Sequence, residues 1–388
     1  MREEILDDEH RDFRDLVRSF IAKQVAPHYA AWEERGMADR AVWREAGAAG
    51  LLGIDMPEEY GGGGNADYRF QAILSEELAR AGTYAPSLPL HNEIVGPYLR
   101  TLATPGQRER WLPGFCSGAC VTAIAITEPD AGSDISAMRT TAAREDGHWV
   151  LNGAKTFVSN GHSADLYLVL ALTPGGPRPA RGSRGSRGTS ASLLAVEADR
   201  AGVGRGRKID KIGMRALDTA ELFFDGVRVP EENLLGRPGR AFAYLMRNLV
   251  QERMWIGVSA LAAAERIFDD TLAYAGERSV FGMAVGHHQS NRHLLAELAT
   301  ALSVARSHCD RAVLAHSAGR LTAEDAAMVK WWNTELCQTV VSRCLQLHGG
   351  YGFVREFAVA RAFVDTRVQS IYGGTTEVMK EIIGHSLV

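Results

Sequence analysis

The chain has 388 residues, more than the roughly 100–200 usual for one domain, so two or three packed units are expected. Hydrophobic residues at 46%, charged residues at 23% and a net charge of −4 describe an ordinary globular chain, and give no reason to expect nucleic acid or an anionic membrane as a partner. The acidic start from Met1 to His10 is unlike a signal or transit peptide, and no apolar run approaches the ~20 residues of a membrane helix, so a cytoplasmic location and no membrane partner are expected.

From Glu9 to about Arg110 the pattern is helical. Phe13, Leu16, Val17, Phe20 and Ile21 recur at helical spacing within Asp12 to Gln24, and Ser75 to Ala81 reads the same way after the turn-forming Tyr60 to Gly64. From Ala119 to about Pro230 short β-rich runs alternate with turns: Val121 to Ile126, His148 to Leu151, Leu166 to Leu172, Ser192 to Val196 and Glu221 to Phe224. Asn152-Gly153, flanked by such runs, predicts a hairpin turn. Pro174 to Ser190 is Gly, Pro, Arg and Ser with almost nothing to bury, which predicts a mobile loop. Its arginines at 178, 181, 184 and 187 are read as a solvated insertion rather than a phosphate-grasping arm. Beyond Arg240 long amphipathic helices with few prolines predict an antiparallel bundle. The expected division is a helical domain over 1–118, a β domain over 119–232 and a bundle over 233–388. Five scattered cysteines (Cys116, Cys120, Cys309, Cys337, Cys344) form no Cys-x-x-Cys pair, and His287, His288 and His293 have no carboxylate at ligand spacing, so neither disulfides nor a metal site is expected.

Ala125-Ile-Thr-Glu-Pro-Asp-Ala-Gly-Ser-Asp134 reads as a strand ending in a turn that exposes backbone N–H groups beside short hydroxyls, suited to a heterocycle edge or a phosphate. This stretch resembles the signature of the acyl-CoA dehydrogenases. Asn152 to Asn160, Lys211 to Arg215, Val229 to Gly236, Arg278 to Gly282, Gln289, Gln346 to Gly352 and Ile371 to Glu377 extend the resemblance, in order, over nearly the whole chain outside the arginine stretch. The C-terminal run from Gln369 to Glu381 is most similar to the long-chain branch.

The resemblance implies a mixed α and β fold: an N-terminal helical domain, a β-barrel-like middle domain and a C-terminal four-helix bundle, assembled as a homotetramer (a dimer of dimers). It implies FAD, with Ile126, Thr127 and Ser159 at the polar flavin edge and Phe157 against the ring face. Arg278, Phe281 and Gln289, with Gln346 and Gly350 from a neighbouring subunit, would hold the adenosine diphosphate end, Gly349 also belongs to the cofactor site, and Thr375 and Glu377 would complete it. Ser133 would meet the pantetheine arm, with Arg253, Tyr372 and Gly374 also lining the substrate. The implied reaction is α,β-dehydrogenation of an acyl-CoA, or of a thioester on an acyl carrier protein, with the β-hydride passing to flavin N5 and electrons leaving through an electron-transferring flavoprotein. A flavin oxidase or monooxygenase on the same scaffold is the alternative, and a non-catalytic scaffold a more distant one.

The base must be a carboxylate with a pKa raised by burial, because a solvated glutamate is too weak to take an α-proton. Many family members carry that glutamate at the loop position equivalent to Gly373, which has no acceptor here but keeps an N–H for the thioester carbonyl. Glu252 is the candidate in its place. Leu245, Leu249, Ile256 and Ala260 lie at i−7, i−3, i+4 and i+8, so the carboxylate faces inward on an apolar stripe. Arg253 projects at a different angle and is not automatically its ion-pair partner.

Overall fold

A computed structural model describes residues 1–174 and 189–388. The first helices are α1 (Asp8–Phe20), α2 (Tyr29–Arg35), α3 (Ala41–Ala48), α4 (Tyr68–Arg80), α5 (Gly96–Leu102) and α6 (Pro105–Ser117). A π-helical segment, Leu90–Val95, runs into α5. Its six residues are all buried, and include His91, Asn92 and Glu93.

The middle strands are β1 (Thr122–Ala125), β2 (Thr141–Glu145), β3 (His148–Ser159), β4 (Leu166–Pro174), β5 (Thr189–Glu197), β6 (Val203–Lys208), β7 (Thr219–Pro230) and β8 (Leu234–Leu235). They form one eight-stranded sheet of order β6-β7-β3-β2-β4-β5-β8, with β1 pairing in parallel with β4. β4 is buried along most of its length, from Leu166 to Ala171, because Tyr167, Val169 and Ala171 pack into one apolar cluster and Leu166, Leu168 and Leu170 into another, each built of helix and strand residues.

The expected hairpin at Asn152-Gly153 is not there. Both residues lie inside β3, and the turn between β2 and β3 is Asp146-Gly147, each with positive φ (46° and 73°). That is the backbone a two-residue type I′ connection demands. Gly153 instead marks a bulge, where pairing with β7 slips between Leu151 and Gly153. A Cβ there would fall 2.4 Å from Thr140 Oγ1, and Asn152 Oδ1 accepts from the Gly226 N–H at 2.8 Å. The dipeptide serves a close approach between strands, not a turn. Of the 174–190 stretch, Pro174, Thr189 and Ser190 are strand residues, with Pro174 opposite Thr189; residues 175–188, with all four arginines, lie outside the described residues.

The C-terminal part holds α7 (Ala241–Glu277), the small hairpin β9 (Ser279–Val280) and β10 (Met283–Ala284), then α8 (Gln289–Ser317), α9 (Ala323–His348), α10 (Ala358–Asp365) and α11 (Thr376–Leu387). One apolar core joins α4 to α7, α8 and α9 through residues such as Ala72, Val258, Leu302 and Val340. α7 and α9 pack closely at Gly257, where a Cβ would stand 2.6 Å from Val329 Cγ1. This crossing sets Lys330 of α9 beside the middle turns of α7.

Candidate active site

An apolar cavity of about 590 Å³, open mouth included, lies between α4, the 83–94 segment, α7 and the loop before α11. Trp255 and Ser259 line it from α7, Ser75, Leu78 and Ala79 from α4, and Gln369 and Tyr372 from the loop. Trp255 and Tyr372 meet edge to face at 5.9 Å. Glu252 stands beside this lining, three residues before Trp255 and seven before Ser259, on the same helical face.

The Glu252 side chain is only partly accessible, and burial raises its pKa to about 7, opposed by the charges of Arg253 and then Lys330. Neither cation forms an ion pair with it among the described residues. Arg253 is buried, with Nε and Nη1 unpartnered, and burial lowers its own pKa while Glu252 pulls it back up. Gly373 completes the arrangement. It has φ +64°, and a Cβ built on it would lie 3.3 Å from Glu252 Oε1. Its N–H makes no backbone hydrogen bond among the described residues.

A second group gathers where β1 ends against β3. Thr156 N–H donates to Thr127 O at 2.9 Å, and β3 bulges between Lys155 and Val158, turning Phe157 outward at φ +55° and 66% exposure. Ile126, Thr127 and Ser159 are half-buried around it, and Ser159 also lines the cavity. A free aromatic face beside short hydroxyls and backbone groups is a donor and stacking set that fits a planar heterocycle. Ser133 is exposed on the turn just beyond.

Thr375 caps α11 one residue past Gly374, and Glu377 is exposed on its first turn. The remaining predicted residues lie elsewhere. Arg278 ends α7, Phe281 sits 97% exposed at the tip of the β9–β10 hairpin, and Gln289 begins α8. Gln346, Gly349 and Gly350 close α9. Arg278 lies 5.8 Å over the ring of Tyr351, so within one chain these two sets, assigned to different subunits from sequence, are neighbours. Glu252 and Arg278 are separated by 26 residues of helix, roughly 39 Å at 1.5 Å each.

Two lysines were not singled out from sequence. Lys155, fully buried, donates to Ile126 O (3.0 Å) and Glu128 Oε1 (2.8 Å), while Glu128 also accepts from the N–H groups of Arg139 (2.6 Å) and Thr140 (3.0 Å). Lys330, also fully buried, donates to Gln369 O and Gly374 O. The available signal was a lone lysine in the otherwise apolar run Ala326 to Trp332.

This fold and site define a three-part enzyme scaffold with a half-buried carboxylate beside an apolar cavity. The chain belongs to the acyl-CoA dehydrogenase family: residues 7–119, 123–227 and 239–388 match the acyl-CoA dehydrogenase N-terminal, middle and C-terminal domains. It is 44% identical to the long-chain specific acyl-CoA dehydrogenase, mitochondrial, of Mus musculus, over 99% of this chain and 87% of that protein. The crystal structure of an acyl-CoA dehydrogenase from Geobacillus kaustophilus superposes with a TM-score of 0.93 at 41% identity, covering 98% of each chain. A glutaryl-CoA dehydrogenase from Mycobacterium smegmatis in complex with FADH2 superposes at 0.90 with 26% identity, covering 100% of this chain and 96% of that one.

Proposed function

We propose that the chain is an FAD-dependent acyl-CoA dehydrogenase in which Glu252 takes the α-proton of the acyl thioester. The observation that carries this is the position of the Glu252 carboxylate: beside an apolar cavity, against a glycine loop, with a pKa pushed by burial to about 7. A base poised near neutrality is well matched to an α-proton. FAD, when bound, supplies the acceptor that removes the β-hydrogen as hydride, leaving a trans-2-enoyl thioester. Ile126, Thr127, Phe157 and Ser159 would hold its ring. The Gly373 N–H donates to the thioester carbonyl as negative charge develops there, and Tyr372 and Gly374 fix the loop that carries it. The cavity wall of Leu78, Ala79, Leu90 and Ile94 takes the acyl chain and keeps water from the reacting carbons.

The distance along α7 supports an oligomer. Arg278 stands roughly 39 Å along α7 from Glu252, at 1.5 Å per residue, with Tyr351 beside it, and Phe281, Gln289, Gln346, Gly349 and Gly350 belong to the segments that end α7, begin α8 and close α9. They would grip the adenosine diphosphate end of a neighbour's FAD, which fits a homotetramer. Phe281 and Phe353, 97% and 92% exposed, are surfaces such an assembly covers. The family resemblance supports electron-transferring flavoprotein as acceptor, and a CoA or carrier-protein thioester as substrate. No helix among the described residues is long and apolar enough to cross a membrane, and we place the enzyme in the cytoplasm.

Anaerobic mixing of the oxidised protein with straight and branched acyl-CoAs, followed by flavin absorbance, tests the reading. Bleaching by one class in the parent, lost at least a hundredfold in Glu252→Gln, is expected. Undiminished bleaching in that variant would remove Glu252 as the base.

A further inference from the structure

A buried lysine normally finds a carboxylate, because an unpaired charge in an apolar interior is costly. Lys330 has no exposed surface, yet its partners are two backbone carbonyls: Gln369 O at 3.1 Å and Gly374 O at 2.7 Å. These carbonyls bracket the loop that carries Gly373. The Cβ position of Gly373 lies 3.6 Å from Lys330 Cε and 3.3 Å from Glu252 Oε1. A cation from α9 and a carboxylate from α7 therefore flank one point, from opposite helices, without touching. An ammonium has three donors and the carbonyls use two.

We propose that Lys330 is a positioning residue for this reaction, which clamps the 369–374 loop by two carbonyls and holds a positive charge near the base that favours its ionised form. The inference depends on Glu252 being that base. Its physical content is separable from a structural role. Lys330 bonds to carbonyls, so its charge does not move when Glu252 gains its proton. Before that step it favours the carboxylate over the acid, offsetting the burial that works the other way. The other charged or titratable groups near the pair are Arg253 on α7, Glu335 on α9, Tyr98 on α5 and Tyr372 in the loop, and all persist when Lys330 is replaced. The effect is reciprocal: burial lowers the Lys330 pKa to about 8, and Glu252 acts to raise it again.

The test is the pH profile of kcat/KM for dodecanoyl-CoA with FAD-loaded parent, Lys330→Met, Lys330→Gln and Lys330→Arg enzymes, with Glu252→Gln as control. An opposite charge within about 4–6 Å lowers a carboxylate pKa by roughly 1–3 units, and Lys330, the smaller cationic influence on Glu252 after Arg253, is assigned the low end of that range. Both neutral variants should therefore move the acid limb up by about one unit. Relative to the parent, their kcat/KM should fall about tenfold near pH 6, where Lys330 is protonated, while Lys330→Arg keeps the parent limb. Should Lys330→Met not retain flavin colour, Lys330→Gln keeps a donor for the carbonyls and reads the same limb. A uniform loss at every pH with the limb unmoved overturns the proposal, leaving only a loop clamp. Full activity in Glu252→Gln overturns the underlying assignment instead, and is distinguishable because it does not involve Lys330.

Discussion

Glu252 Oε1 lies 3.3 Å from the point where a Cβ on Gly373 would sit, and Ile256 Cδ1 lies 2.4 Å from that same point. The space that a loop side chain would enter is already filled, by a carboxylate and a methyl from one face of α7. Gly373 also has φ +64°, a conformation that side chains other than glycine rarely adopt. A carboxylate at loop position 373 and the helix carboxylate at 252 thus compete for one space in this chain. Gly373→Glu is expected to destabilise the protein by about 1–3 kcal/mol through overpacking and backbone strain, read from the denaturant midpoint. It is also expected not to rescue Glu252→Gln. Adding Ile256→Ala should recover part of the loss. Rescue by Gly373→Glu without the Ile256 change would show that the loop shifts freely.

The Glu252 pKa near 7 makes two claims about pH. With Glu252 as the proposed base the unprotonated form is the active one, so kcat/KM should rise about tenfold per unit as pH climbs towards about 7 and level off above it. Stability runs the other way. A carboxyl group whose folded pKa is raised above the ordinary 4.5 favours the folded state while protonated. That contribution is present below about pH 4.5 and lost as pH rises through about 7. At pH 8 the buried charge therefore costs up to roughly 3 kcal/mol, the equivalent of the difference between the two pKa values. Glu252→Gln should raise Tm at pH 8 and leave it nearly unchanged at pH 5. An equal change in Tm at both pH values would mean the group titrates normally.

The β2–β3 connection shows where local sequence misleads. Asn152-Gly153 has the composition of a hairpin turn, yet Asp146-Gly147 makes the turn, and only the three-dimensional approach of Thr140 explains why a glycine stands at 153. Gly153→Ala should cost clearly more than Gly147→Ala. The first drives a Cβ into Thr140 Cα at 2.7 Å, while the second meets open space and bears only the price of positive φ, about 1 kcal/mol. Denaturant midpoints of the two variants decide the order. The same contrast runs through the site. Glu252 was legible because its neighbours at i−7, i+4 and i+8 form a stripe, a one-dimensional signal. Lys330 was not, because its meaning comes from a loop about forty residues further on. Arg278 and Tyr351 were recognisable through the motifs around them, but their proximity in one chain depends on how α7 and α9 end together.

The Lys155–Glu128 pair offers the sharpest test of how the second group of residues is held. Lys155 is fully buried and Glu128 is 6% exposed; the carboxylate accepts from one ammonium and two backbone N–H groups. These bonds, led by Lys155, outweigh burial and hold the Glu128 pKa below its ordinary value. The pair therefore contributes stability above about pH 4.5 that is lost as pH falls through the lowered folded value. Lys155 also bonds Ile126 O, so one side chain ties the turn from 126 to 140 onto β3 beside Phe157. Lys155→Met leaves Glu128 charged and without its cation, and should cost about 3–5 kcal/mol together with weaker retention of FAD on gel filtration. Lys155→Met/Glu128→Leu removes both charges but frees the two N–H groups of Arg139 and Thr140. It should recover much of the folding stability while leaving flavin retention poor, because the turn loses its anchor at Ile126 as well. If the single variant lost less than about 1 kcal/mol, the two backbone donors alone would suffice for Glu128, and the placement of Thr127 would have to come from its carbonyl's bond with Thr156 N–H instead.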